Sequence, residues 1–514
     1  MSTQRVQNVT IVGGGTAGWM VAASLVRTYG KSVKFTLVES SQIGTIGVGE
    51  ATIPTIRRFY ASLGMSDLEV MQATQATCKL GIQFRDWHKK GASFIHPFGL
   101  FGESIHAIPF HHFWLKSREL GDQSDISEYS FGVQLAQAEK FFSPDGNNAR
   151  GLAVFDWALH LDATLFAQHL RQYAEKNGVK RIDAKIIDVS LDESSGFIKS
   201  LTLDTENEVE HSIGGDLFID CSGMQGLLID KALGVAYEDW SNWLPCDRAV
   251  AVQSSGDGQL PPYTVAQAHS AGWRWEIPLQ ERNGNGHVYS SEFMSDDEAT
   301  AILMQNIKGD ALTDPRPIKY KAGRRKQAWH KNCIAVGLSA GFLEPLESTS
   351  IALIETAIEK IKLLFPDAQM RQGCIDEFND MTRLEYERVR DFLILHYCKT
   401  SRDDSALWNY CRNMAIPDSL SHKIKLYRQR GHLVKYRWEI FQLPSWIAIY
   451  SGYGIYPEVV DPAVANYSNK FILDNLGAMK NAISQSVEKV PSHKQFIERY
   501  FPKSTTKNEA SPHG

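Results

Sequence analysis

Gly13, Gly15 and Gly18 form a GxGxxG pattern directly behind a short β-branched run, Asn8 to Gly13 (NVTIVG), and ahead of a helix-forming stretch, Trp19 to Tyr29. Each glycine meets a separate steric demand: a tight turn, close approach of backbone to a pyrophosphate, and tight packing of helix on strand. The helix start, with Thr16 and Ala17 inside the pattern, offers free N–H groups and the positive end of the helix dipole to phosphate. Glu39 ends a second strand, Val33 to Val38, where a carboxylate accepts ribose hydroxyls. The chemistry encoded is dinucleotide binding, and this fingerprint serves NAD and FAD alike.

Two later segments favour the longer cofactor, FAD. Leu217 to Gly226 (LFIDCSGMQG) and Ile334 to Pro345 (IAVGLSAGFLEP) are apolar strands that break into small residues, as a chain does where its backbone lies against a ligand. Lys79 is a different kind of candidate. An isolated lysine is ordinarily a solvated surface group, but this one stands among Cys78, Leu80, Ile82 and Phe84, and enclosure in apolar surroundings alters a lysine's pKa and nucleophilicity. Glu347 and Ser348 follow Pro345 at the entry to a helical stretch, where Ser348 reads as an N-cap and the carboxylate as a partner of the dipole. Trp273 and Trp275 stand two apart, so on a strand they share a face, and a pair of core aromatics is the plain reading.

The elements that must hold these residues are of α/β type. Strands are expected at Asn8 to Gly13, Val33 to Val38, Val189 to Leu203, Gly215 to Asp220, Arg274 to Pro278, Val288 to Ser291 and Cys333 to Val336. From Glu347 the pattern turns into long helices, Ser350 to Phe365 and Ile375 to Tyr397. The expected organisation is an FAD-binding module over 1–345 with an interleaved substrate-side sheet, a mainly helical module over 346–502 completing the substrate site, and a frayed polar tail over 503–514. At 514 residues the chain can enclose a buried cofactor. Its net charge of -5 argues against nucleic-acid binding, and Lys321 to Lys326 (KAGRRK) reads as a solvated loop ahead of a phosphate contact. Seven scattered cysteines without a CxxC pair suggest reduced thiols, with no zinc or other metal site. With no secretory signal and no membrane-length apolar run, a cytoplasmic location is expected.

In order along the chain stand Gly13 to Gly18, IGVGEATIP (Ile46 to Pro54), CKLGIQF (Cys78 to Phe84), HPFG (His96 to Gly99), FIDCSGMQGLL (Phe218 to Leu228), WRWEIP (Trp273 to Pro278), FLEPLEST (Phe342 to Thr349) and TSRDD (Thr400 to Asp404). This set resembles the flavin-dependent tryptophan and indole halogenases, among which WxWxIP is the most distinctive signature. The resemblance implies a Rossmann-like fold of the flavin-monooxygenase type, with FAD contacted by Gly13, Gly15, Thr16, Ala17, Gly18, Glu39, Ala51, Leu338, Ser348 and Ile351. It makes Lys79 and Glu347 catalytic and Thr349 and Ser350 halide-side residues. Trp273 and Trp275 become a wall of the passage between flavin and substrate, and His96 and Phe98 become substrate-side groups; Trp446 and Tyr450, with Trp438, read from the sequence as further residues able to line the substrate pocket.

The implied reaction uses FADH2 from a separate flavin reductase, together with O2 and chloride or bromide, to make hypohalous acid. Lys79 directs that oxidant onto an indole-type ring, with Glu347 stabilising positive charge or taking the ring proton. Two departures matter. Ser350 stands where the family usually has glycine, and the region Gly431 to Pro457, in which tryptophan-specific members clamp the amino acid, is shorter here and keeps only Glu439 as a remnant. Indole or a larger indole derivative thereby gains over free tryptophan as substrate. No nucleic-acid or membrane partner is implied, and a homodimer is an allowed assembly. The competing readings are an aromatic flavin monooxygenase and a non-enzymatic flavin-binding protein.

Overall fold

The computed structural model describes residues 5–42, 49–144, 155–205 and 208–502. Ile46 to Val48 of the Ile46 to Pro54 motif and the tail over 503–514 lie outside the described residues.

Val9, Ile11 and Val12 are buried on both faces of the strand Asn8–Val12, the pattern of a central parallel strand covered by helices. Its neighbours are Leu217–Asp220 and Lys34–Glu39, with Val9 opposite Leu217 on one side and Phe35 on the other. Lys180–Asp183 extends this sheet beyond the second, and Cys333–Ala335 with the antiparallel Trp329–His330 extends it beyond the first, giving six strands. The helix Thr16–Tyr29 returns the chain from the first strand to the second. The turn between them depends on Gly13, which has φ +109° and whose absent Cβ would stand 2.3 Å from the Cys221 carbonyl oxygen. Gly18 is equally confined, since a Cβ there would stand 1.9 Å from the Gly13 carbonyl oxygen. Gly13→Ala should therefore destabilise the cofactor-free protein by about 3 kcal/mol through strain and overlap together. A urea unfolding midpoint equal to the parent's would refute that.

A seven-stranded sheet packs farther along the chain, ordered Arg316–Lys319, Arg248–Ser254, Asn283–Tyr289, Gly272–Pro278, Thr264–His269, Gly81–Arg85 and Ser93–Pro97. A small third sheet sets Ala158–Leu161 between Glu50–Ala51 and Thr77–Lys79. The chain crosses from this small sheet into the large one at Leu80, which places Lys79 on the seam. From Ser350 the described chain is chiefly helical, including Ser350–Leu363, Gln372–Cys398, Asp418–Arg430 and Leu443–Gly452. Among the described residues no helix is long and apolar enough to cross a membrane, and all seven cysteines are free.

Two sequence expectations are corrected. Val189 to Leu203 is no single strand but a hairpin of Lys185–Leu191 and Ile198–Thr205. Asp192 bends the chain between them by accepting the N–H groups of Ser194 and Ser195, a local turn that hydrophobic alternation does not register. Lys321 to Lys326 is no solvated loop either. Arg324 and Arg325 are buried in the strand Gly323–Arg325 and neutralised by Glu238 and Asp230 respectively.

Candidate functional site

Three segments converge at the start of the helix Thr16–Tyr29. The Gly337–Ser339 turn, which carries Leu338, lies against it closely enough that a Cβ on Gly337 would stand 2.9 Å from that of Ala17. Buried Asp220 folds its own segment back by accepting the N–H groups of Ser222, Leu228 and Ile229. Glu39 covers the glycine turn itself, with Oε2 1.3 Å from where a Gly14 Cβ would stand, while Arg181 bonds Oε1. Above Gly15 the space is open, with nothing within 4 Å of a Cβ position. Bare backbone facing open space at a helix N-terminus, flanked by a carboxylate, fits a dinucleotide's pyrophosphate and ribose.

The second centre lies at the seam of the sheets. Lys79 is fully buried, and its Nζ donates to the Thr52 carbonyl and to Ser348 Oγ, each at 2.9 Å. The Nζ stands 5.2 Å from the centre of the Phe98 ring. Burial lowers the lysine's pKa to about 7, against the upward pull of the Glu347 charge. A group so placed exchanges between ammonium and amine near neutrality.

Glu347 is 2 % exposed and clamped from both sides. Its Oε2 lies 2.7 Å from His96 Nδ1 and its Oε1 2.8 Å from His396 Nε2. Burial alone would raise its pKa, but the two imidazoles overturn that and hold the carboxyl at about 2. His96 arrives on the strand Ser93–Pro97, opposite Ile82, and His396 on the long helix Gln372–Cys398. Glu347 and Ser348 themselves have φ of +67° and +59°, a conformation that costs non-glycine residues on the order of 1–3 kcal/mol each and concentrates at functional sites.

Aromatic groups enclose this centre. Phe392 lies 5.7 Å from the His96 ring, stacks on Phe441 at 3.9 Å and meets Trp446 edge-on at 5.0 Å. Trp273 and Trp275 share the buried strand Gly272–Pro278 with rings 6.1 Å apart, and Trp273 faces Trp87, which in turn meets His396.

The chain matches the tryptophan halogenase family over residues 8–469. The chain belongs to that family. It is 54% identical to the flavin-dependent halogenase BrvH from Brevundimonas sp. BAL3, with a TM-score of 0.93 over 97% of this chain and 100% of that one. It is 41% identical to the flavin-dependent halogenase Xcc4156 from Xanthomonas campestris, with a TM-score of 0.92 over 97% of this chain and 99% of that one. Against the tryptophan 6-halogenase SttH of Streptomyces toxytricini it is 37% identical over 450 residues, 83% of this chain and 85% of the relative. The chain is thus an enzyme of the flavin-dependent halogenase type, with the fold its motifs predicted.

Within this halogenase, Lys79, His96, Phe98, Glu347 and Ser348 come together, and Trp446 reaches them through Phe392. Tyr450 instead stacks on Tyr427 at 4.2 Å. Ser348 does not cap a helix: Thr349 holds the N-cap position of Ser350–Leu363 without a side-chain bond, and the Ser348 hydroxyl serves Lys79. Ser350 opens the helix and is free of positive φ, so its Cβ carries no left-handed backbone strain.

Sequence reasoning missed His396, Lys423 and the acid Glu344. His396 lies one turn after Phe392 on a helix that reads as ordinary core, and no motif marks it. Lys423 is 3 % exposed, pairs with Glu439 at 2.6 Å and stands 4.1 Å from the centre of the Trp446 ring. Glu344 is buried, accepts from Tyr397 and is pushed up to about 8 by burial.

Proposed function

We propose that this halogenase uses FADH2, O2 and chloride or bromide to halogenate an indole-type aromatic ring, with Lys79 directing the oxidant. The observation that carries the reading is Lys79 itself, enclosed and tuned to about 7 beside the clamped carboxylate of Glu347. Gly13, Gly15, Thr16, Ala17, Gly18 and Glu39 would hold the dinucleotide part of FAD, and Ala51, Leu338, Ser348 and Ile351 would lie along its remainder. When bound, reduced FAD with O2 supplies the oxidising equivalent that converts halide to hypohalous acid. The uncapped helix start at Thr349 and Ser350 offers N–H groups to the halide.

Lys79 holds the small oxidant in an enclosed, water-poor place, and the ring's position against His96, Phe98 and Trp446 decides which carbon is attacked. Trp273 and Trp275 wall the route that the oxidant travels. Glu439 pairs with Lys423 at 2.6 Å, so its charge is already balanced by a cation of this chain, which supports indole or a larger indole-bearing molecule over free tryptophan. The reading implies a separate flavin reductase as electron source.

Incubation with FAD, a flavin reductase, NADH, O2 and halide should consume indole faster than tryptophan and in proportion to halide. Indole consumption that ignores halide would instead place the chain with aromatic monooxygenases, and flavin binding without turnover would make it a binding protein.

A further inference from the structure

We propose that His96 is the base that removes the proton from the ring carbon under substitution, while Glu347 orients this imidazole and steadies its positive charge. This rests on the halogenation reading above and concerns the step after the carbon–halogen bond forms.

The hydrogen-bond network assigns the protons. His396 Nδ1 lies 2.8 Å from the Phe392 carbonyl, which can only accept, so Nδ1 carries hydrogen. Its Nε2 lies 2.8 Å from Glu347 Oε1. With the carboxylate as acceptor, Nε2 donates as well, so both ring nitrogens of His396 are committed and neither offers a lone pair. His96 Nδ1 donates to Oε2 of the same carboxylate. That leaves His96 Nε2 as the lone-pair nitrogen, and it is buried without a hydrogen-bond partner. A buried polar atom without a partner is uncommon and calls for a ligand or a chemical role.

Glu347 is poorly suited to be the base itself. Each of its oxygens already accepts a bond from an imidazole, and its affinity for a proton is depressed far below neutrality. An anionic carboxylate behind a histidine is instead the usual device for fixing a tautomer and stabilising the imidazolium that forms. Phe392 and Phe441, stacked on one another, lie on one side of the His96 ring with centres 5.7 and 6.2 Å away, an aromatic surface beside the open nitrogen.

Atoms and electrons balance across the substitution. The ring carbon attacks the halogen of hypohalous acid hydrogen-bonded to the Lys79 ammonium. The oxygen–halogen bond breaks towards oxygen, and a Lys79 N–H supplies the proton that completes water. The C–H bond then breaks, its electron pair restores the aromatic ring, and the proton passes to His96 Nε2. Return of that proton to Lys79 restores both groups.

The test uses His96→Asn, whose amide nitrogen can still donate to Glu347 but which has no base at the Nε2 position. Halogenation of indole should fall about 10²-fold, with FADH2 oxidation unchanged. An indole deuterated at the substituted carbon should react like ordinary indole in the parent enzyme and at least about twofold slower in the variant, because proton removal has become the slow step. A variant that halogenates within twofold of the parent, or that slows with no isotope effect, would overturn the proposal. Should the variant fail to fold, neutron diffraction on the unaltered protein decides: the proposal requires hydrogen on Nδ1 of His96, none on Nε2 and both nitrogens of His396 protonated, and any other pattern overturns it. Absence of halogenated indole from the parent enzyme would count against the halogenation reading instead.

Discussion

Lys79→Ala is expected to lose indole halogenation by at least about 10³-fold while FADH2 is still oxidised and hydrogen peroxide is still released. The cofactor cradle at Gly13 to Gly18 and the Lys79 centre are built by different sheets, so removing the amine leaves the first intact. The variant also removes two hydrogen bonds, to the Thr52 carbonyl and the Ser348 hydroxyl. Lys79→Met restores most of the volume without those bonds or the charge, and it should be as inactive as the alanine variant. Recovery of halogenation in the methionine variant would show that the lysine merely fills space. Measuring product and peroxide in the same reaction checks both halves of the expectation.

The second large effect is expected at Glu347. Glu347→Gln removes the charge between His96 and His396 and sets an amide NH2 against one of the two imidazole nitrogens that a carboxylate oxygen had met. Halogenation should fall about 10²-fold or more, seen in kcat ahead of KM because the ring's aromatic contacts remain. A pH signature accompanies it. The Glu347 carboxyl is held at about 2 when folded, below its ordinary value of 4.5. Its ionised form therefore favours folding above about 4.5, and this contribution is lost as pH falls from there towards 2. The parent protein should lose stability across that window more steeply than the glutamine variant, and equal pH slopes in urea unfolding would contradict the clamp.

The nucleotide end of the molecule was legible because its chemistry is local. Gly13, Gly18 and Glu39 meet their steric and polar demands within one strand–helix–strand unit, so their spacing in sequence is nearly their arrangement in space. Lys79 and Glu347 could be named only through their resemblance to a family, since 268 positions separate them and nothing local shows that Ser348 bonds the lysine. His396 was illegible for a different reason. On a helix whose neighbouring residues are core, a histidine looks like any satisfied buried ring, and only the fold reveals that it faces a carboxylate from another element. Ser348 was misread because Ser after Pro at a helix start is ordinarily a cap. The positive φ at Glu347 and Ser348 turns that hydroxyl away from the helix and onto Lys79. In the hairpin at Lys185 to Thr205, the polar segment Asp192 to Gly196 carries the turn that the expected strand Val189 to Leu203 ran through.

The central claim is tested most directly by the mass spectrum of the product made from indole, bromide, O2 and FADH2 regenerated by a flavin reductase. The account predicts one bromine replacing one ring hydrogen, visible as a pair of nearly equal peaks two mass units apart, and no such product from Lys79→Ala. A product gaining a single oxygen, or the same bromoindole yield from the alanine variant, would contradict it.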